Sequence, residues 1–239
     1  MSVHEPVLPR RAGMREVESP AARTARSSTA VPPAPRAGSW EADVNDGRAH
    51  MHYFERQFGL NATKLLPGEF YVTADDHVLT TVLGSCVAAC ILDTEAGIGG
   101  MNHFMLPDAG EGVVSGSARY GSYAMELLIN DLLKAGARRG ALAAKLFGGG
   151  NVLQSFTTNQ VGTRNVEFVH AYLQAERIPV LAEDVLDVYP RKIFFFPRSG
   201  RALVRRLPPA VVAVDLADER AYGSRLRSEP VQGGVELFE

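Results

Sequence analysis

The chain reads as an α/β domain with layered packing, because short apolar runs and helix-period stretches interleave along its central part. Val78-Leu-Thr-Thr-Val-Leu83 and Cys86-Val-Ala-Ala-Cys-Ile-Leu92 are strand-length runs rich in β-branched residues. Met125, Leu128, Ile129 and Leu132 instead recur at helical spacing. Of the 239 residues 46 % are apolar and 22 % charged, which suits a soluble domain with a core of ordinary size.

Residues 1–48 are rich in Ala, Pro, Ser and Arg, as in Thr29-Ala-Val-Pro-Pro-Ala-Pro35, and are expected to form a disordered N-terminal extension. Residues 49–62 are more aromatic, and are expected to dock on the domain or form a short helix. The folded domain is expected over 64–208. Within it Glu69-Phe-Tyr-Val-Thr73, 78–83 and 86–92 read as strands, with Gly84-Ser85 interrupting the second and third. Gly97–Leu106 reads as another, ended by Pro107-Asp108. A well-buried helix is predicted from about Tyr120, with Gly136 as its stop. Ala141–Phe147 reads as a strand running into Gly148-Gly-Gly150. A second helix is predicted over Arg164–Gln174, with Val166, Val169 and Leu173 on one face. Ile178–Leu181 and Lys192–Phe196 close the series as strands. Residues 209–239 form an acidic C-terminal tail whose apolar patch, Ala210–Val214, is assigned to no element.

With 25 Lys and Arg against 27 Asp and Glu, nothing in the charge balance predicts a nucleic-acid or anionic-membrane partner. No run approaches the ~20 apolar residues of a membrane span, and Arg10-Arg11 is not followed by the apolar region of an export signal. A cytoplasmic protein is expected. Cys86 and Cys90 would lie ~13 Å apart in an extended strand, beyond the ~7 Å reach of a disulfide, so both are expected as free thiols.

Chemistry concentrates around Cys86 and His103. A thiol attacks as thiolate, and an adjacent imidazole lowers its pKa and takes its proton. The two residues flank strand-like segments joined by the short turn 93–97, and side chains on adjacent antiparallel strands meet. Gly84 and Ser85 leave room for substrate beside backbone N–H groups able to hold an oxyanion. Thr80 and Thr81, on the preceding strand, each offer a hydroxyl to orient the ring. On the residues alone, a nucleophile and a small buried core thiol remain two open readings.

Other residues fit blander roles. His77 reads as a turn histidine, with a role as alternative base less favoured, and Cys90 reads as packing. Gly148-Gly-Gly150 lacks the Lys-Ser/Thr of a P-loop and reads as a tight turn lining the site. Asn102 reads as polar lining or packing. Arg191-Lys192 reads as a solvated pair, or as a contact for acidic helices. A metal site from Cys86, Cys90, His103 and His77 is disfavoured by the wide cysteine spacing.

An ordered set of motifs resembles the chemoreceptor glutamine deamidase family, CheD. It comprises Thr80-Thr-Val-Leu-Gly-Ser-Cys86, Gly99-Gly-Met-Asn-His103 with Phe104-Met-Leu-Pro107, Arg119–Ala124, Lys145–Gly150, Gly162-Thr-Arg-Asn165, Ile178–Asp184, and Ser199-Gly200 ahead of Leu203-Val204. The resemblance spans about 65–206. It departs from the family over Ala182-Glu-Asp-Val-Leu-Asp-Val-Tyr-Pro190, where many relatives carry Gly-Gly after Ala-Glu-Asp.

The resemblance implies a layered α/β sandwich with a mixed β-sheet and flanking helices. It implies Cys86 as nucleophile, His103 as general base and acid, Thr80 as the residue orienting the histidine, and no metal or organic cofactor. The implied substrates are glutamines of methyl-accepting chemotaxis receptors, converted to glutamate. Some members also hydrolyse receptor glutamyl methyl esters, and some bind a CheC-type phosphatase. A non-catalytic receptor- or phosphatase-binding module of the same fold is the alternative.

Overall fold

A strand buried on both faces reads as an unbroken apolar run, and Val87–Asp93 is such a strand. Its odd residues Val87, Ala89 and Ile91 face one apolar core, while Ala88, Cys90 and Leu92 face another. Side-chain alternation along a strand makes this the boundary between two layers.

The computed structural model describes residues 13–17, 47–107, 114–152, 161–208 and 213–228. Their strands are β1 (Met14–Glu16), β2 (Met51–Glu55), β3 (Leu60–Lys64), β4 (Phe70–Thr73), β5 (His77–Leu83), β6 (Val87–Asp93), β7 (Ile98–Asn102), β8 (Leu142–Gly148), β9 (Val180–Val185), β10 (Arg191–Phe196) and β11 (Arg201–Arg206). The helices are α1 (Val114–Lys134), α2 (Val161–Ala175) and α3 (Ala213–Ser228).

The strands form two mixed sheets, ordered β1-β11-β10-β5-β3-β2 and β4-β7-β6-β8-β9. Most pairs are antiparallel; β3–β5 and β8–β9 are parallel, and α2 supplies the crossover that the second pair needs. Leu79, Leu83, Phe147, Ile193 and Phe195 fill the space between the sheets. On the far side of the five-stranded sheet, Met125, Leu128, Leu132, Val166, Val169 and Leu173 seat α1 and α2. The layers are therefore sheet, sheet and helix pair, an α/β sandwich as expected.

Gly136 ends α1 as predicted. Its φ of 102° lies in the left-handed region, its N–H donates to the Leu133 carbonyl, and that of Ala137 donates to Leu132. This is a Schellman closure, which supplies donors to carbonyls the helix leaves unpaired.

The structure departs from expectation at both ends. Residues 49–62, expected as a docked segment or short helix, contribute β2 and most of β3, so the sheets begin before residue 64. Their Tyr53↔Ala62 register pairs an exposed strand with a half-buried one, which erases a clean alternation. Most of 1–48 lies outside the described residues, but Met14–Glu16 pairs with β11 as an edge strand. The segment expected as an acidic tail contains α3.

Leu128 is fully buried between α1 and the five-stranded sheet. Leu128→Ala should cost about 2–5 kcal/mol. Denaturant unfolding should show this as a lowered midpoint at unchanged slope.

Candidate active site

Cys86 follows the Gly84-Ser85 turn at the end of β5, and His103 follows β7. The antiparallel β6–β7 register, Cys90↔Met101, continues as a bridge between Val87 and Phe104, bringing both residues to one end of the strand pair. Backbone bonds fix the histidine on both sides: its N–H donates to Glu69 and its carbonyl accepts from Gly68.

The ring is held by Thr81. The Thr81 hydroxyl donates to the Leu65 carbonyl at 2.8 Å and stands 2.8 Å from His103 Nδ1. A hydroxyl has one proton to give. With that proton on Leu65, Nδ1 must carry its own and donate, leaving Nε2 as the basic nitrogen. That is the tautomer a general base requires.

Thr80, the residue expected to orient His103, does not do so. Its hydroxyl donates to the Ile193 carbonyl at 2.7 Å. Adjacent residues on a strand point to opposite faces, so only one of the two threonines can reach the ring. Thr81 lies on the face shared with Leu79, Leu83 and Cys86.

Three groups converge: side-chain donor atoms of Cys86, His103 and Glu219 of α3 lie within 4.8 Å of one another. Glu219 accepts the Gly84 N–H at 2.7 Å on Oε1 and the Ser85 N–H at 3.0 Å on Oε2, and the Ser85 hydroxyl stands 3.3 Å from Oε2. The Cys86 thiol hydrogen-bonds the same carboxylate, and His103 Nε2 is 3.8 Å from Oε1. Burial first, and the Glu219 charge second, push the Cys86 thiol well above its ordinary value. Burial also raises the Glu219 carboxyl, against the lowering effect of its four hydrogen bonds. The site is closed in the structure, with Cys86 at 0 % and His103 at 2 % exposure.

A cysteine, a histidine and a carboxylate are also a donor set for zinc. Here each carboxylate oxygen already accepts a backbone N–H. Cys90 and His77, named with Cys86 and His103 as a metal set, stand elsewhere. Cys90 is packed between the sheets and His77 bonds Thr63 and stacks on Tyr71.

The Gly84–Cys86 turn is braced from two sides. Gly149 and Gly150 donate their N–H groups to the carbonyls of Cys86 and Gly84, each at 2.7 Å. Gly148 has φ 107°, and a Cβ there would lie 2.2 Å from the Cys86 carbonyl oxygen, so only glycine fits. Fully buried Asn165 donates to the Ser85 carbonyl and accepts the Leu106 N–H. Asn102, left between two roles, fastens β6 to α1 by accepting the Ala89 N–H and donating to Ala124.

Arg191 is not the solvated residue expected. It is fully buried, and its guanidinium donates to the Asp184 carbonyl and carboxylate and to the Leu186 carbonyl. Burial lowers its pKa to about 10. It pins the turn in which Leu186 and Asp187 take φ values of 62° and 69°. That turn contacts the glycine loop: Leu186 N–H donates to Gly148, and Asn151 N–H to Asp187.

Residues 105–206 match the family model CheD, chemotactic sensory transduction. A probable chemoreceptor glutamine deamidase CheD of Xanthomonas campestris pv. campestris (strain B100) is 58 % identical over 191 residues, covering 79 % of this chain and 95 % of that protein. The chain belongs to the CheD family. Proteins of the same name from Thiobacillus denitrificans, at 57 % over 78 % of this chain and 94 % of theirs, and Janthinobacterium sp. (strain Marseille), at 54 % over 78 % and 93 %, agree. The CheD model begins after His103, but an aligned stretch of 191 residues cannot be laid on 239 without including Thr81, Cys86 and His103. No helix among the described residues is long and apolar enough to cross a membrane.

Reasoning from sequence offered Thr81 only beside Thr80, gave Asn165 no role and missed Glu219. Nitrogen-15 NMR should find a proton on His103 Nδ1. Thr81→Val should disturb that tautomer, whereas Thr80→Val should leave the ring resonances in place.

Proposed function

We propose that this CheD-family chain is a cytoplasmic protein-glutamine deamidase that converts selected glutamines of methyl-accepting chemotaxis receptors to glutamate. The observation that carries this reading is the thiol of Cys86 beside an imidazole whose Nδ1 is engaged by Thr81. The names of the relatives supply the substrate.

In this mechanism His103 Nε2 takes the Cys86 proton, and the thiolate attacks the carboxamide carbon. The Gly84 and Ser85 N–H groups, which converge on one carboxylate in the structure, hold the oxyanion. His103 returns the proton to the leaving nitrogen, and ammonia departs. Water, deprotonated by the same ring, then cleaves the thioester and frees glutamate. The thiolate is regained with no metal or organic cofactor in the cycle. Thr81 acts as a positioning residue, in the part that the family resemblance gives to Thr80. The same acyl chemistry extends to receptor glutamyl methyl esters, with methanol as the leaving group. A CheC-type phosphatase is the proposed regulatory partner.

Mass spectrometry of receptor cytoplasmic fragments should show a gain of about one dalton at particular glutamines, as ammonia is exchanged for water. Cys86→Ala should abolish it, and His103→Ala should slow it by on the order of a hundredfold or more. Receptor binding by the unsubstituted chain with no such gain would replace this reading by a non-catalytic binding module.

A further inference from the structure

Glu219 is a costly residue to bury. At 5 % exposure its carboxylate has left water, and such a group persists only where donors replace the lost hydration. The donors it has found are the Gly84 and Ser85 N–H groups, the Ser85 hydroxyl and the Cys86 thiol. These are the atoms that the deamidase reading assigns to binding and attacking a substrate carbonyl.

The side chain in that position is itself a glutamyl group, the product of glutamine deamidation. Glu219 gives one oxygen to each backbone donor, so a glutamine of the same length would place its carbonyl oxygen on one of them and its carboxamide carbon beside the sulfur. The presenting element is a helix, α3, which lies beyond the end of the family-model match at residue 206.

Among the described side chains of α3, 217–226, the contact is narrow. Glu219, Tyr222, Gly223 and Leu226 fall on one helical face. Tyr222 is buried against Tyr120 and over Gly68, whose added Cβ would come within 2.7 Å of the tyrosine oxygen; Gly223 sits on Met105. Asp218, Arg220, Ala221, Ser224 and Arg225 face outward. A single stripe of a single helix is a small interface of the exchangeable kind. Burial first, and the neighbouring carboxylate second, raise the Cys86 thiol and so disfavour the nucleophilic thiolate.

We propose that α3 is a built-in product mimic: Glu219 occupies the glutamine side-chain subsite, and α3 must leave before a receptor helix can enter. This rests on the deamidase reading above and adds the regulation of that site.

The test uses the full-length chain with Glu219→Ala, Tyr222→Ala or Glu219→Gln. Iodoacetamide labelling of Cys86 near pH 8, with buried Cys90 as internal reference, reports access without requiring any turnover. Glu219→Ala and Tyr222→Ala should each speed labelling of Cys86 by on the order of tenfold and raise the initial rate of receptor-fragment deamidation. In Glu219→Gln, Cys86 should attack the new amide in cis, release ammonia and hydrolyse the thioester, restoring glutamate at 219 with a gain of about one dalton; adding Cys86→Ala should block this. Unchanged labelling and unchanged receptor turnover in both alanine variants would overturn the mimic while leaving the deamidase reading intact. Receptor turnover by Glu219→Gln without conversion at 219 would also overturn it. Faster labelling with no receptor turnover by any variant would sink the deamidase reading and leave α3 as the cover of Cys86.

Discussion

One buried hydroxyl orders the site. Thr81 is tied to the Leu65 carbonyl, so its oxygen can only accept from His103, and the imidazole presents a lone pair at Nε2. If that proton were free to rotate, the ring could take either tautomer, and in one of them the nitrogen near the sulfur would be a donor. The Leu65 carbonyl is available because the chain leaves β3 just before it, and Thr81 meets it because β3 and β5 run parallel. The chemistry of the histidine thus depends on a strand pairing several residues away.

The Gly84–Cys86 turn depends in the same way on neighbours that carry no reactive group. Cys86 and Gly84 offer their carbonyls to Gly149 and Gly150, and Asn165 takes that of Ser85. With their carbonyls anchored, the Gly84 and Ser85 N–H groups are aimed to one side, where a carboxylate now sits. The glycine loop is in turn held by the turn at Leu186–Asp187, whose left-handed backbone costs about 1–3 kcal/mol per non-glycine residue. The Arg191 guanidinium, bonded to Leu186 and Asp184, offsets that strain. The strained turn is therefore compensated within the fold.

The central strands and two helices were legible because they are buried. β6 shows an apolar run from Val87 to Leu92, β5 and β8 are mostly apolar and buried, and the stripes of α1 and α2 survive as Met125–Leu132 and Val166–Leu173. Elements at the margin were not. β2 exposes Met51, Tyr53 and Phe54 and has no polar face to alternate with, and β1 is three residues long. α3 escaped notice because the face it buries is built from a glutamate, a tyrosine, a glycine and a leucine, which no hydrophobic period picks out. Cys86 and His103 were readable from their motifs and converge. The choice between Thr80 and Thr81 was not, since a one-residue step along a strand reverses the face and only the sheet it packs on decides which is inward.

α3 is covalently joined to the site it covers. Residues 209–212 are all that separate Pro208, just past β11, from its first residue. A segment on so short a tether acts at an effective concentration in the millimolar range, whatever the protein concentration. A dilute peptide carrying a single glutamine competes poorly against such an occupant. Helices crowded together at high local density compete on equal terms, so the tether would favour modification of clustered substrates over scattered ones.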